Sequence, residues 1–455
     1  MRLAITEANI RWLYWALLGV AALWMFLPIH IQLIGEESVY AVYLQKMLQT
    51  GDYINTFYRP PLFLWVSSSL ETLFDFGAIE MPLRITSILS SLLASCFAAL
   101  FAHKVFQKEH AGLVGALVFL TLAEIQCWYG WLGYADAMFL FFIFSSMVCV
   151  WLAAQFQKVH WYALAVLLIN AAFFTKALTA YAFFITTLVV VAYAYQSWRF
   201  FLRPINLFLS LCIMVAPIVW AFLHGGSAES TSAGLVQDIA RRFTEIDPLN
   251  YLKHITLFPL EFIARMAPVS LVLIYFIWKQ RVDVEGKEIR LIGLIFLINY
   301  LPYWFAPFSN MRHVVPLYAW ASLVLTYLLL QYDFRVRRVV VISVMILLLL
   351  KVPLTLWGLP FAKERDESQA FKPVAADIFQ RVGGEAEIRQ DPMSSYIGFA
   401  VTAYLNEMYG KQSNIPFFTE QDHGVYILGH GHIEGTRLLH QYSLFNSPLY
   451  LLYRE

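Results

Sequence analysis

The residues best suited to chemistry lie in the first long polar interruption between apolar segments, residues 35–77. This stretch begins with the carboxylate pair Glu36 and Glu37, directly after the apolar run 12–34, and it contains Arg59 before two prolines. A carboxylate can accept a proton from a hydroxyl or an amine, and a planar guanidinium can hold a phosphate. The residue types and their order therefore indicate chemistry on a charged lipid at the boundary between water and membrane.

Other charged residues lie at the ends of later apolar runs. Asp136 begins one run, where an acid can serve as a helix cap or as a second carboxylate that orients a sugar hydroxyl or a basic residue. Lys176 and the pair Arg312 and His313 lie between apolar runs, and each could be an interfacial anchor. Together with Arg59, however, they place three separate cations on one face, which indicates a single anionic ligand.

Two short elements are expected to position the first polar stretch. Residues 40–48 carry apolar side chains at helical spacing, and Gly51 is a natural stop. This pattern predicts an amphipathic helix that lies on a membrane and does not cross it. The tandem prolines Pro60 and Pro61 predict the start of a second helix at residues 62–76.

The composition is that of a polytopic membrane protein. Of 455 residues, 60% are hydrophobic and only 14% are charged, so the chain is too apolar for an ordinary globular protein. A net charge of +1 argues against a nucleic-acid partner, and the four cysteines lack metal-binding or CxxC spacing. Eleven candidate spans follow from the apolar runs: 12–30, 84–103, 111–127, 135–155, 161–175, 177–195, 205–223, 267–280, 290–306, 314–331 and 339–359.

The basic residues between these spans orient the chain. They all fall on one side, which the positive-inside rule assigns to the cytoplasm. These residues are Arg2, Arg11, Lys104, Lys108, Lys158, Arg199, Arg203, Lys279, Arg281, Lys287, Arg290, Arg335, Arg337 and Arg338. The outer side then receives the polar stretch 35–77 and a long loop 224–268, for which we hypothesise a mobile lid.

The tail, residues 361–455, has the composition of a soluble domain. A helix is expected at 395–409 and a strand at 424–428, so this tail is interpreted as a small α/β domain outside the membrane. Its histidines His423, His430 and His432 show no clear third-ligand pattern and are interpreted as surface residues.

Several motifs, taken in order, resemble one family of membrane enzymes. They are Glu36-Glu37-x-x-Tyr40-Ala41, Tyr58-Arg59-Pro60-Pro61-Leu62, Arg84 in Pro-Leu-Arg-Ile-Thr-Ser, Asp136 at a short outer loop, Thr175-Lys176-Ala177 and Arg312-His313-Val314-Val315-Pro316. The chain resembles the lipid-phosphate-dependent membrane glycosyltransferases of the GT-C fold, which include the protein O-mannosyltransferases and the aminoarabinose transferases that modify lipid A. The resemblance covers the membrane part of the chain, about four-fifths of it.

The resemblance implies an all-α polytopic fold with about 11 transmembrane helices, interfacial helices in the first outer loop and a small C-terminal α/β domain. The domains would be a membrane domain at 1–360 and a periplasmic domain at 361–455. It also implies transfer of a sugar, with inversion, from a polyprenyl-phosphate donor of the undecaprenyl type to a lipid, glycan or protein acceptor. The expected location is a bacterial inner membrane, with the site on the periplasmic side.

The resemblance also assigns roles to residues. Glu36 stands where the family has its catalytic aspartate, and Glu37 and Asp136 complete the expected catalytic set. Substrate binding is expected from Tyr40, Tyr58, Arg59, Arg84, Lys176, Arg312 and His313. No metal or other cofactor is expected, because fixed cations can neutralise a monophosphate leaving group.

Two other classes of function stay open at this point. A transporter or flippase for an anionic lipid or lipid-linked sugar would also bind its ligand through cations, but such proteins usually place polar residues near mid-membrane. A non-catalytic scaffold that presents the tail to a partner would make the polar stretch around Glu36 and Arg59 incidental.

Overall fold

A computed structural model describes residues 9–57, 59–176, 178–223, 248–280, 286–307, 309–360, 370–384, 386–410, 413–444 and 447–455. Most of the chain before residue 360 is helical, since a helix satisfies its own backbone hydrogen bonds in lipid. The helices of this part are α1 (Ile10–Trp24), α2 (Glu37–Thr50), α3 (Leu62–Phe74), α4 (Glu80–Phe106), α5 (Ala111–Leu120), α6 (Ala135–Phe156), α7 (Val159–Thr175), α8 (Thr179–Ala194), α9 (Trp198–Phe201), α10 (Pro204–Cys212), α11 (Val215–Leu223), α12 (Pro248–Arg265), α13 (Val269–Lys279), α14 (Lys287–Phe305), α15 (Leu317–Gln331) and α16 (Phe334–Pro353).

The protein is a multi-pass membrane protein. Within the described residues, five helical segments are long and apolar enough to cross a membrane: 10–30, 80–106, 135–156, 287–305 and 334–358. A sixth crossing results if α12 and α13, which meet at an angle of 106°, form one broken span. Shorter apolar helices, among them α5, α7, α8 and α15, occupy other predicted spans. The count of eleven therefore stays a prediction.

The structure corrects three expected boundaries. The span predicted at 111–127 ends as α5 at Leu120 and is followed by a π-helical turn, Ile125–Tyr129. The span predicted at 205–223 is divided into α10 and α11. Most of the described part of the expected loop 224–268 is helix α12. Residues 224–247 lie outside the described part, so the lid hypothesis stays untested.

The two helices of the first polar stretch form where the sequence predicts them. Helix α2 ends at Gly51, whose φ of 67° is the left-handed conformation that glycine adopts readily. Helix α3 starts directly after Pro61 and ends at Phe74, two residues earlier than predicted. The apolar residues Tyr40, Leu44 and Met47 of α2 are all buried within the protein. The prediction that the helix lies on a membrane stays a prediction. An amphipathic pattern requires an apolar partner but does not specify lipid.

The C-terminal part packs against α2. It contains α17 (Phe371–Val382), α18 (Tyr396–Tyr409) and the strands β1 (Ile388–Gln390), β2 (Val425–Gly429), β3 (Thr436–Leu444) and β4 (Ser447–Arg454). The strands form a mixed sheet of order β1-β2-β4-β3, in which only β1 and β2 are parallel. The helix and the strand predicted in the tail are thereby confirmed as α18 and β2. The division into domains at residue 360 stays a prediction.

Helix α18 packs directly against α2 and the loop that precedes it. Gln45 Nε2 donates to the carbonyl of Ala403 at 2.9 Å, and Asn406 Nδ2 donates to Gln45 Oε1 at 2.8 Å. The backbone N–H of Leu33 donates to the hydroxyl of Tyr404 at 2.8 Å. The tail therefore packs against the loop and the helix on either side of Glu36.

Candidate active site

Four charged side chains that are far apart in the sequence form one connected chain of ion pairs. Arg312 Nη1 lies 2.5 Å from Glu36 Oε2, and Arg312 Nε lies 2.8 Å from Asp136 Oδ2. The ammonium group of Lys176 binds the other oxygen of Asp136. The structure thus brings together two of the predicted carboxylates and two of the predicted cations.

Each of these residues lies at the end of a helix, where the backbone leaves the helix axis. Glu36 immediately precedes α2, Asp136 lies in the first turn of α6, and Lys176 directly follows α7. Arg312 lies in a single 3-10 turn, Met311–Val314. Asn310 caps this turn, since its side chain accepts from the N–H of Arg312 at 3.0 Å. The helix ends therefore place the four charges at one boundary of the bundle.

The two carboxylates of this group differ in burial. The Asp136 side chain is 1% exposed and both its oxygens are bound by cations, so it orients Lys176 and Arg312 and has little capacity left for an acceptor. The Glu36 side chain is 51% exposed. Burial alone would lower the pKa of Arg312, but the nearby carboxylates, Asp136 foremost, raise it above its usual value, so the guanidinium stays charged.

Glu37 and Arg84 form a second, separate ion pair. Both side chains are 0% exposed, and Arg84 Nη2 lies 2.6 Å from Glu37 Oε2. Glu37 also accepts from the backbone N–H of Gly133 at 2.6 Å and from that of Ile34 at 2.8 Å. Because both side chains are enclosed by protein, this placement does not favour the expectations that Glu37 serves in catalysis and Arg84 in substrate binding, and both stay predictions.

Arg84 instead organises the loop that precedes α2. Its Nη1 donates to the carbonyl of Pro28 at 2.8 Å, and its Nη2 donates to that of Gln32 at 3.1 Å. The carbonyl of Ile31 accepts a further bond from Nη1. Because one guanidinium gathers these carbonyls beside Glu37, it fixes the turn from which Glu36 projects.

The other predicted binding residues have distinct surroundings. Tyr40 is 3% exposed and packs against the rings of Phe57 and Phe63, so it belongs to the core beneath the site. Arg59 is half-buried and close enough to Tyr40 and Lys176 to act on both electrostatically. His313 Nδ1 accepts from the backbone N–H of Asn310 at 3.2 Å, which supports the Arg312 turn. Tyr58 lies outside the described residues.

A cavity of about 460 Å³ opens beside Arg312. One wall is a face of α12, the other is the segment 309–312, and Tyr129 also borders it. The sequence analysis missed this wall because it interpreted 248–265 as loop. The polar and charged lining residues are Tyr129, Asn250, Lys253, His254, Glu261, Arg265, Ser309, Asn310 and Arg312.

Arg265 connects that wall to the rest of the bundle. Its Nη1 lies 2.5 Å from the buried carboxylate of Glu124, and its Nη2 lies 2.7 Å from Glu261. The polar residues from Asn250 to Arg265 carried a helical signal, since residues 250, 253, 254, 261 and 265 recur at helical spacing.

No cluster that resembles a metal site is found in the described ranges, by the criterion of three or more His, Cys, Asp or Glu side chains. Of the tail histidines, His430 is engaged with the hydroxyl of Ser395 and, at 2.5 Å, with the carbonyl of Pro448. The carboxylates of the candidate site face Arg and Lys side chains. The absence of a cofactor stays a prediction.

The chain is similar to known proteins that share one name. No protein-family model matches the chain. An undecaprenyl phosphate-alpha-4-amino-4-deoxy-L-arabinose arabinosyl transferase of Pseudomonas fluorescens is 28% identical over 232 residues, which are 46% of this chain and 40% of that protein. The transferase of the same name from Pseudomonas paraeruginosa is 26% identical over 253 residues, 51% of this chain and 44% of that protein. The chain thus matches less than half the length of these curated relatives.

The solved structures agree over the whole chain. The crystal structure of ArnT from Cupriavidus metallidurans in the apo state superposes with a TM-score of 0.70 at 13% identity and covers 98% of both chains. The structure of the same protein bound to undecaprenyl phosphate gives a TM-score of 0.68 at 14% identity, again over 98% of both chains. The resemblance predicted from the motifs is confirmed: this chain has the GT-C fold of ArnT, and its sequence is similar to those of the aminoarabinose transferases.

Proposed function

We propose that this protein is an integral membrane glycosyltransferase that moves a sugar from a polyprenyl-phosphate donor to an acceptor, with inversion at the anomeric carbon. The observation that carries the proposal is the chain of ion pairs Glu36–Arg312–Asp136–Lys176 beside an open cavity. It joins a partly exposed carboxylate to two cations, and transfer from a lipid phosphate requires both. The names of the curated relatives make an undecaprenyl-phosphate-linked aminoarabinose the first donor to test.

Glu36 is the proposed general base. Half of its side chain is exposed, and its partner Arg312 lines the cavity, so an acceptor hydroxyl can approach the carboxylate. In the proposed step the acceptor oxygen forms a bond to the anomeric carbon of the sugar, and its proton passes to Glu36. The bond from that carbon to the phosphate oxygen breaks on the opposite face, which inverts the configuration.

The cations have the complementary task of stabilising the departing lipid phosphate. Lys176 and Arg312 are held by Asp136 and cannot drift apart, so they meet the developing negative charge without reorganising. Arg59 lies within electrostatic reach of Lys176 and is the third proposed phosphate ligand. Fixed cations of this kind can act without a divalent metal, and we propose that none is needed.

We further propose that the site and the tail lie on the periplasmic side of a bacterial inner membrane. The distribution of Lys and Arg in the loops supports this orientation. The proposed partners are the polyprenyl-phosphate sugar, an acceptor such as lipid A, a glycan or a protein, and the surrounding membrane lipids. Cysteine labelling with a membrane-impermeant reagent tests the orientation, with Ser309→Cys expected to react from outside and Arg338→Cys only after permeabilisation.

The decisive experiment follows the consumption of a radiolabelled undecaprenyl-phosphate sugar by membranes that contain wild type or Glu36→Gln. We expect transfer by wild type and a loss of about 10²-fold or more in the variant, because the amide cannot accept the acceptor proton. The matched control is Glu387→Gln, a change of the same kind at an exposed ion pair of the tail. The control is expected to transfer like wild type.

Two results would contradict the proposal. If Glu36→Gln transfers at the wild-type rate while correctly inserted, Glu36 is not the base. If wild type consumes no lipid-linked sugar but carries it across liposome membranes, the protein is a flippase.

A further inference from the structure

We propose that Tyr134 is a positioning residue of the transfer site, which sets Glu36 through its hydroxyl group and Arg312 through its ring. The inference rests on the proposed function, since it concerns how the proposed base and phosphate ligand are held. It adds a residue for which the motifs of the sequence gave no role.

The hydroxyl of Tyr134 fixes the backbone of the turn that carries Glu36. It accepts from the backbone N–H of Glu36 at 3.1 Å and donates to the carbonyl of Ile34 at 3.0 Å. Donor and acceptor capacity are both used within one turn of the chain. Loss of the hydroxyl would leave this N–H and this carbonyl without that partner.

Gly35 makes this approach possible. Its φ is +56°, and a Cβ atom added there would lie 2.7 Å from the Tyr134 hydroxyl oxygen, closer than atoms can pack. Glycine is therefore required at this position both for the backbone conformation and for the space that the phenol occupies. The residue before the proposed base is thus adapted to Tyr134.

The ring of Tyr134 supports the arginine that meets Glu36. The guanidinium carbon of Arg312 lies 4.8 Å from the ring centroid, a cation–π distance. Arg312 reaches Glu36 and Asp136 with two of its nitrogens, and its third, Nη2, is buried with no hydrogen-bond partner among the described residues. The aromatic face therefore supports a guanidinium whose other two nitrogens bind the two carboxylates.

Tyr134 is itself firmly anchored. It is the residue that immediately precedes α6, two positions before Asp136, and its carbonyl accepts from Ser87 Oγ of α4 at 3.1 Å. It is 7% exposed. One rigid side chain thus contacts the Glu36 turn and Arg312 and begins the helix that carries Asp136.

The two halves of the side chain predict separable kinetic effects. Tyr134→Phe removes only the hydroxyl, so we expect kcat to fall about tenfold with the donor KM unchanged, because the base is displaced while the phosphate ligand keeps its aromatic support. Tyr134→Leu also removes the ring, so we expect the donor KM to rise about tenfold in addition.

The test measures both constants with the radiolabelled lipid-linked sugar, together with thermal unfolding in detergent. The matched control is Tyr162→Phe, which loses a buried tyrosine hydroxyl bonded to Ser210 at 2.7 Å, away from the four ion-paired residues. We expect this control to unfold at a lower temperature but to keep the wild-type kcat and KM. A general loss of stability would instead affect the two Phe variants alike.

The outcomes separate this inference from the proposed function. If wild type transfers sugar but Tyr134→Phe keeps the wild-type kcat, or Tyr134→Leu keeps the Phe variant's KM, the positioning role is wrong and the proposed function stands. If wild type transfers no sugar from any polyprenyl-phosphate donor, the proposed function itself fails and the inference with it. A tenfold loss of kcat in Tyr134→Phe with the donor KM unchanged, together with a higher donor KM in Tyr134→Leu, supports the inference.

Discussion

Glu36 and Glu37 are neighbours in the chain and each forms an ion pair with an arginine, yet their environments are opposite. Glu37 is 0% exposed and accepts from two nitrogens of Arg84 and from two backbone N–H groups. Glu36 is 51% exposed and meets Arg312 at 2.5 Å beside the cavity. The Glu37–Arg84 pair is enclosed by protein, and the Glu36–Arg312 pair is partly exposed.

This difference separates a structural carboxylate, Glu37, from the proposed base, Glu36. A carboxylate whose oxygens are fully engaged by fixed donors stabilises those donors but has no lone pair free for an incoming proton. A partly exposed carboxylate can exchange one partner for another. Ion pairing by itself therefore does not identify a candidate base. The exposure of the carboxylate is also needed.

Removal of one buried charge should have the largest effect. Arg84→Met leaves the Glu37 carboxylate buried without its cation, so we expect the free energy of unfolding to fall by about 3–5 kcal/mol. Thermal or denaturant unfolding of the purified protein in detergent measures the change. In contrast, Glu36→Gln breaks a half-exposed pair and should change stability by no more than about 1 kcal/mol.

A second change at the same pair sharpens this prediction. Glu37→Gln in the Arg84→Met background removes the uncompensated charge, so part of the lost stability should return. If the double variant is as unstable as Arg84→Met, the loss comes from the backbone carbonyls that Arg84 gathers and not from the buried charge.

A change in the Glu36–Arg312 pair should affect activity more than stability. Arg312→Lys keeps the positive charge but replaces a fork that reaches both Glu36 and Asp136 with a single ammonium group. We expect kcat/KM for the lipid-linked donor to fall by about 10–100-fold, with stability nearly unchanged. Arg381→Lys, at an exposed pair with Asp377 in the tail, is the matched control and should keep full activity. Equal losses in both variants would refute a special role for the Arg312 fork.

A third carboxylate, Glu407 of α18, extends the comparison to the contact between the tail and the membrane part. It accepts from the backbone N–H of Ile79 at 2.8 Å. Burial raises the pKa of Glu407 to about 7, and the negative charges of Glu80 and Glu71 also raise it. The hydrogen bond from the N–H of Ile79 and the positive charge of Lys372 lower this pKa, but by less. The folded protein therefore binds a proton here that the unfolded chain has already released above its ordinary pKa of 4.5.

The sign of the pH dependence follows. Because the folded state holds more protons between about pH 4.5 and 7, stability falls as the pH rises through this window, by at most about 1.4 kcal/mol per pH unit. Glu407→Gln should remove this contribution. Unfolding of wild type and variant between pH 5 and 8 measures it as a difference, and parallel curves for the two proteins would contradict the assignment.

The smallest expected effect is that of chelation. If Arg59, Lys176 and Arg312 neutralise the leaving phosphate, EDTA should leave transfer unchanged within error, and added Mg²⁺ or Zn²⁺ should not increase it. The assay is the same release of sugar from the lipid-linked donor. Loss of activity with EDTA that one metal restores would replace this electrostatic account with a metal-assisted one.

The sequence was a good guide to elements and to charge positions. The apolar runs located most membrane helices, Gly51 and Pro61 marked helix ends, and the motifs pointed to the GT-C fold. It failed where one residue pattern suits two environments. The apolar face of α2 could pack against lipid or protein, and its Tyr40, Leu44 and Met47 are buried in the protein. The polar face of α12 could belong to a loop or to a cavity wall, and it lines the cavity.

The sequence by itself determined that carboxylates and cations occur at the ends of apolar segments, because a charge is excluded from the lipid-facing middle of a span. It could not decide which of two adjacent glutamates is enclosed and which stays exposed. Successive residues at the start of a helix point about 100° apart, so the two side chains meet different surroundings. Tertiary structure made the choice: Arg84 of α4 and the N–H of Gly133 surround Glu37, and Glu36 is left to meet Arg312.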